Sequence, residues 1–195
     1  MLNGKNSLSK FLAIVFLFLI FNVNGLAGEY VVDREAENEV KFISEAIWEN
    51  FEGVTGFIDG YVYWDGEKLT NKSELYFEVE LNTVETGNGK RDRDMREDYL
   101  HTNRFPYTHY TGKIVDVKDS TDSILKISTD GVMFIHGVER KLTVNALMTK
   151  NEEGYQVKSN FIIKLSDYNI KIPQLMIFKI NEEMQLQLTF YVKKI

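Results

Sequence analysis

Residues 74 to 81, Glu-Leu-Tyr-Phe-Glu-Val-Glu-Leu, place an apolar side chain at every second position. In an extended chain Leu75, Phe77, Val79 and Leu81 therefore share one face, while Glu74, Glu78 and Glu80 share the other. The same two-residue period returns at Leu142, Val144, Ala146 and Met148, at Val157, Phe161, Ile163 and Leu165, and at Leu186, Leu188, Phe190 and Val192. Only Asn88 to about Leu100 reads as helix, with Met95 and Tyr99 four apart and charges of mixed sign between Arg91 and Asp98. Its thin apolar stripe suits a mostly solvated element lying over a barrel end or connecting strands, and Phe105-Pro106 is the expected stop. Gly53, Gly56 and Gly60 lead into a strand that puts Ile58, Val62 and Trp64 on one face; glycines at such positions mark bulges or bends. The expected fold is all-β, an antiparallel barrel of roughly eight strands with one short helix between strands. Eight strands close a barrel just wide enough to fill with side chains or to hold one small ligand.

The first residues follow different rules. Lys5 and Lys10 precede an unbroken apolar run from Phe11 to Phe21, followed by Asn24-Gly25-Leu26-Ala27-Gly28. A basic start, a short apolar run and a small-residue exit describe a secretory signal peptide over residues 1–27, and the run is too short for the roughly 20 apolar residues of a membrane span. The expected domain then covers residues 28–195, with no stable membrane insertion after cleavage. The chain has no cysteine, which removes disulfides, thiolate metal sites and cysteine nucleophiles from consideration. An exported protein of this size without disulfides depends on its core and suits a bacterial periplasm, or secretion from a bacterium. Without Lys5 and Lys10 the remainder carries 21 basic against 29 acidic residues. Such a surface repels phosphate backbones and anionic head groups, so nucleic acid is excluded as a partner.

Several stretches together resemble the YceI-like, polyisoprenoid-binding family. They are Asn38-Glu39-Val40-Lys41-Phe42, Gly60-Tyr61-Val62-Tyr63-Trp64-Asp65, Val84-Glu85-Thr86-Gly87 with Arg91-Asp92, Phe105-Pro106, Gly131 to Val138, and Leu165-Ser166-Asp167-Tyr168-Asn169-Ile170. Asn38 stands where the family usually has Ser, and Asn169 where it usually has Gly. The resemblance implies a lipocalin-like barrel, exported, whose interior holds the isoprenoid chain of a polyprenol or an isoprenoid quinone. It implies a binding protein and no catalysis, with the bound lipid as ligand and no cofactor. Combined with the apolar phases, it proposes Phe42, Val62, Trp64, Leu75, Phe77, Val79, Leu142, Val144, Phe161, Ile163, Leu186, Leu188 and Phe190 as ligand lining. A homodimer is an assembly the sequence allows.

Polar candidates are few. Arg91 and Asp92 are placed to orient a ligand's head group at the barrel rim, since apolar pockets carry a small number of positioned polar groups; the plainer reading of Thr86 to Asp92 is a turn and helix cap. The segment lacks the spacing and terminal Lys-Ser/Thr pair of a nucleotide-binding loop. His136, before Gly137, is either a hydrogen-bonded turn residue or a head-group contact. The eight-residue interval between His101 and His109 fits no metal-ligand pattern on one element, so no metal site is expected. The paired carboxylates of a glycosidase and the Gly-x-Ser-x-Gly elbow of a serine hydrolase are not indicated. From the phases alone, a structural or partner-binding barrel with a filled core is the alternative, because protein interiors normally pack to near crystal density.

Overall fold

The computed structural model describes residues 28–45, 50–65, 69–70, 72–118, 121, 123–172, 174–175, 178–179 and 181–195. The proposed signal segment lies outside them. Alternation becomes strand wherever it was expected: β1 (Gly28–Val32), β2 (Glu39–Ser44), β3 (Phe51–Thr55), β4 (Ile58–Trp64), β5 (Glu74–Glu80), β6 (Tyr107–Lys118), β7 (Ile124–Ile135), β8 (Val138–Lys150), β9 (Gly154–Lys164), the two-residue strands β10 (Gln174–Leu175) and β11 (Phe178–Lys179), and β12 (Glu183–Lys194). Eight of them form a closed antiparallel ring in the order β1-β4-β5-β6-β7-β8-β9-β12, with β12 pairing back onto β1. Closure leaves the ring without the unpaired rows of N–H and C=O groups that an open sheet presents.

The hairpin β2–β3, of which β3 was not foreseen as a separate strand, lies alongside the ring. One edge of β12 is divided between two partners: Met184 to Thr189 pair with β2, and Val192 to Lys194 with β1. At the handover the Asn38 side chain accepts from the Tyr191 N–H at 3.0 Å and donates to the Asp33 carbonyl at 2.8 Å. One amide thus stitches the seam and satisfies backbone groups that neither strand reaches. Gly60 sits in the inward phase of β4 with φ +139°, and a Cβ there would lie 2.0 Å from the Tyr76 carbonyl oxygen. Only glycine fits that conformation and that contact.

The helical segment falls where it was expected, in two parts. Helix α1 (Gly89–Asp94) runs into a single π-type turn, Met95–Tyr99. His101, with φ +47°, ends it four residues before Phe105-Pro106. Asn88 caps the start, its side chain accepting from the Lys90 and Arg91 N–H groups, as a helix N-cap does. The inward faces carry the expected apolar residues, among them Val62, Leu75, Ile114, Met148, Phe190 and Val192, each 8% exposed or less.

Candidate functional site

Inside the ring is an apolar cavity of about 880 Å³, in the upper part of the size range of small-molecule pockets. Its wall is built by the inward alternation of seven ring strands together with β2 and β3. Of the residues proposed from sequence, Phe42, Val62, Leu75, Phe77, Val79, Val144, Phe161, Ile163, Leu186, Leu188 and Phe190 border this space; Trp64 and Leu142 do not. Trp64 lies beyond the cavity, stacked on Tyr30 with ring centroids 5.0 Å apart. Leu142 points inward, but the Tyr110 ring crosses Gly131, its cross-strand neighbour, and reaches the Leu142 carbonyl at 2.9 Å. Tyr110 therefore supplies that stretch of wall.

Tyr110 and Thr129 are buried polar groups of the lining, and both are satisfied internally. The Thr129 hydroxyl donates to the Val144 carbonyl at 2.9 Å, and the Tyr110 oxygen lies 3.0 Å from the Thr129 hydroxyl. Burial pushes the Tyr110 phenol above its ordinary pKa, since a dry interior disfavours the phenolate. With their hydrogen-bonding capacity spent on the barrel, these groups leave the cavity apolar in character.

Charged side chains gather at one end. The mouth lies beneath α1, where Asn88, Lys90, Arg91 and Asp94 border the cavity together with Phe51, Met95, Tyr99 and Leu100. Arg91 is held in place: its Nε donates to the Thr86 hydroxyl at 2.9 Å, an Nη to the Thr86 carbonyl at 3.1 Å, and its guanidinium lies 4.5 Å from the centre of the Phe51 ring. Asp92 turns away. It is buried, and its carboxylate accepts from the Thr86 N–H at 2.8 Å and the Thr86 hydroxyl at 2.5 Å, clamping the helix start to the loop before it. His136 does not border the cavity either. With φ +51°, it turns from β7 to β8, one ring nitrogen 2.8 Å from His101 Nδ1 and the other 3.1 Å from the Tyr168 carbonyl. Of the three rim candidates, only Arg91 borders the cavity.

Sequence reading missed Phe51, Tyr110, Ile127, Met133 and Ile135 as lining. Ile127, Met133 and Ile135 do share a phase, but Thr129 and Gly131 between them break the apolar series. Among the described residues no group of three or more His, Cys, Asp or Glu side chains is placed to hold a metal ion, and no helix is long and apolar enough to cross a membrane.

A closed antiparallel barrel, hollow at one end and lidded there by a short helix, is a lipocalin-like binding architecture. A family model for the YceI-like domain matches residues 30–192, and the chain belongs to that family. None of the curated proteins matches it in sequence. Solved structures share the fold at low identity. The crystal structure of Burkholderia cenocepacia BcnA superposes with a TM-score of 0.68 at 15% identity, covering 82% of this chain and 98% of that one. A polyisoprenoid-binding domain from Saccharophagus degradans, described as implicated in plant cell wall breakdown, gives 0.66 at 14% identity over 87% of this chain and 99% of its own. The Campylobacter jejuni YceI protein gives 0.53 at 16% identity, with 73% and 84% covered.

Proposed function

We propose that the protein is an exported carrier that sequesters an isoprenoid lipid, a polyprenol or an isoprenoid quinone, within the barrel and carries out no catalysis. The observation that carries this reading is the unfilled apolar cavity of about 880 Å³ inside a closed wall. A core of side chains alone packs to near crystal density, so the alternative of a filled, purely structural barrel does not fit this interior. The polyisoprenoid-binding relative supports the choice of lipid class. The signal-like sequence of residues 1–27 supports export to a bacterial periplasm or medium.

Binding follows from hydration. Each CH₂-sized group taken from water is worth about 0.8 kcal/mol, so one five-carbon unit contributes roughly 3 to 4 kcal/mol before ordering costs are subtracted. Two or three enclosed units give useful affinity without a charged contact. Arg91 and Lys90 at the mouth are positioned to meet the polar end of the ligand, and the Tyr110 and Thr129 hydroxyls are already satisfied within the barrel. Organic extraction of the protein purified from a bacterial host, followed by mass spectrometry, tests the reading. An isoprenoid lipid at near-stoichiometric amount is expected; an extract without lipid, from a protein that also fails to take up added prenol, overturns it.

A further inference from the structure

The cavity stops at one level on strand after strand. On β4 Val62 borders it and the next inward residue, Trp64, does not; on β9 Val157 does and Tyr155 does not; on β12 Phe190 does and Val192 does not. Beyond that level the described inward side chains are packed against one another. Trp64 is 6% exposed and stacks on Tyr30 at an interplanar angle of 12°, and the edge of Tyr155 meets Tyr30 at 5.4 Å. The backbone closes in behind the stack: a Cβ on Gly28 would lie 2.5 Å from the Trp64 ring and 2.7 Å from the Tyr30 ring. Ile114 and Val192, each 1% exposed, complete the filling. Three interlocked rings cannot slide aside as a flexible aliphatic chain can, because each has only two side-chain torsions and a neighbour on its face or edge.

Resting on the reading that an isoprenoid tail occupies the barrel, we propose that the Trp64–Tyr30–Tyr155 cluster is a floor that selects tail length, with Trp64 the residue that sets it. A tail entering beneath α1 runs inward until it meets the indole, and any further carbons must stay outside in water. At roughly 30 Å³ for each water-sized group, a cavity of about 880 Å³ accepts about 30 methyl-sized groups, or roughly six five-carbon units. Longer tails gain nothing from their extra units, and they hold the head group away from Arg91.

The test uses the purified, delipidated protein and an all-trans prenol series of about two to ten units, with competition against a fluorescent prenol read as relative affinity. In the unaltered protein affinity should rise with each unit and then level or fall beyond about six units. Trp64→Ala removes an indole of about nine heavy atoms and should move that break longer by one to two units, with at least a tenfold gain for the first prenol past the original limit. Val62→Phe, which raises the floor from inside the cavity and does not depend on the packed end, should move the break shorter by about one unit. Movement of the break by Val62→Phe in the stated direction, with Trp64→Ala moving it the other way where that variant folds, supports the floor. A break unmoved in either folded variant, or no break in the unaltered protein, overturns the floor and leaves lipid carriage standing. Failure of every prenol to bind the unaltered protein overturns both.

Discussion

The two ends of this barrel are made by the same strands with the same alternation, yet one end is hollow and the other solid. At the hollow end, inward positions carry Val79, Leu188, Phe161 and Ile163 around open space; at the solid end Trp64, Ile114, Val192 and Tyr30 pack against one another. The difference lies in how the inward residues interlock. The inward residues of the hollow end, phenylalanines among them, leave a gap along the axis of the ring, whereas at the solid end the Tyr30 ring joins the Trp64 indole and the Tyr155 ring into one packed cluster. A binding site can therefore be opened or closed in this fold by the packing of inward residues, without altering the hydrophobic pattern.

Filling the hollow end should erase its distinction from the solid one, and this is the largest effect expected. Val144→Trp places an indole in the space the ligand requires; extractable lipid should vanish, and far-ultraviolet circular dichroism should remain that of the intact barrel. Emptying the two ends by comparable amounts should separate them by stability. Ile114→Ala in the solid end leaves a void among neighbours that cannot follow and should cost about 2 to 5 kcal/mol in urea unfolding, while Leu186→Ala, already facing open space, should cost about 1 kcal/mol in delipidated protein. Equal losses would mean the hollow end is as tightly packed as the other. Where the hairpin meets the ring, Asn38→Ala should cost about 1 to 3 kcal/mol by orphaning the Tyr191 N–H at the seam, and hydrogen exchange at Tyr191 should accelerate.

The smallest effect concerns the Asp33–Lys193 pair, 2.9 Å apart, which ties the end of β1 to β12 beside the solid end. Hydrogen bonding from Lys193, then from the Glu35 N–H, holds the Asp33 carboxyl below the usual carboxylate range. A depressed carboxylate stabilises the fold above its unfolded pKa and loses that contribution as pH falls through the folded value. The acid limb of thermal stability, below about pH 4, should flatten slightly in Asp33→Asn, and the effect should shrink in high salt. An unchanged acid limb would show that this tie contributes nothing at the surface.

Much of this was readable from the chain because a period of two states which side chains face inward. It says nothing about depth along the axis, which is why Trp64 reads as wall in sequence and stands as floor in space. Leu142 fails for a related reason: its phase is right, but a tyrosine two strands away covers it by crossing Gly131, a contact with no local trace. Asp92 and His136 carry polar side chains at plausible positions, yet Thr86 and His101 claim them first. Phe51–Thr55 hides as a strand because Gly53 and Gly56 break its pattern. At Asn169 the residue type itself was informative: with φ +54°, it occupies the left-handed conformation that the family's glycine would adopt and that asparagine tolerates best among side chains with a Cβ.

The pairing of Tyr30 with Lys194 joins the first described strand to the last. Ring closure must therefore wait until β12 is available, and every stage before it exposes an oily, open-edged sheet. Such long-range contacts make folding slow and the unfinished chain prone to association. The cavity comes into being only when β12 docks on β9 and β2, since Met184, Leu186, Leu188 and Phe190 complete its wall.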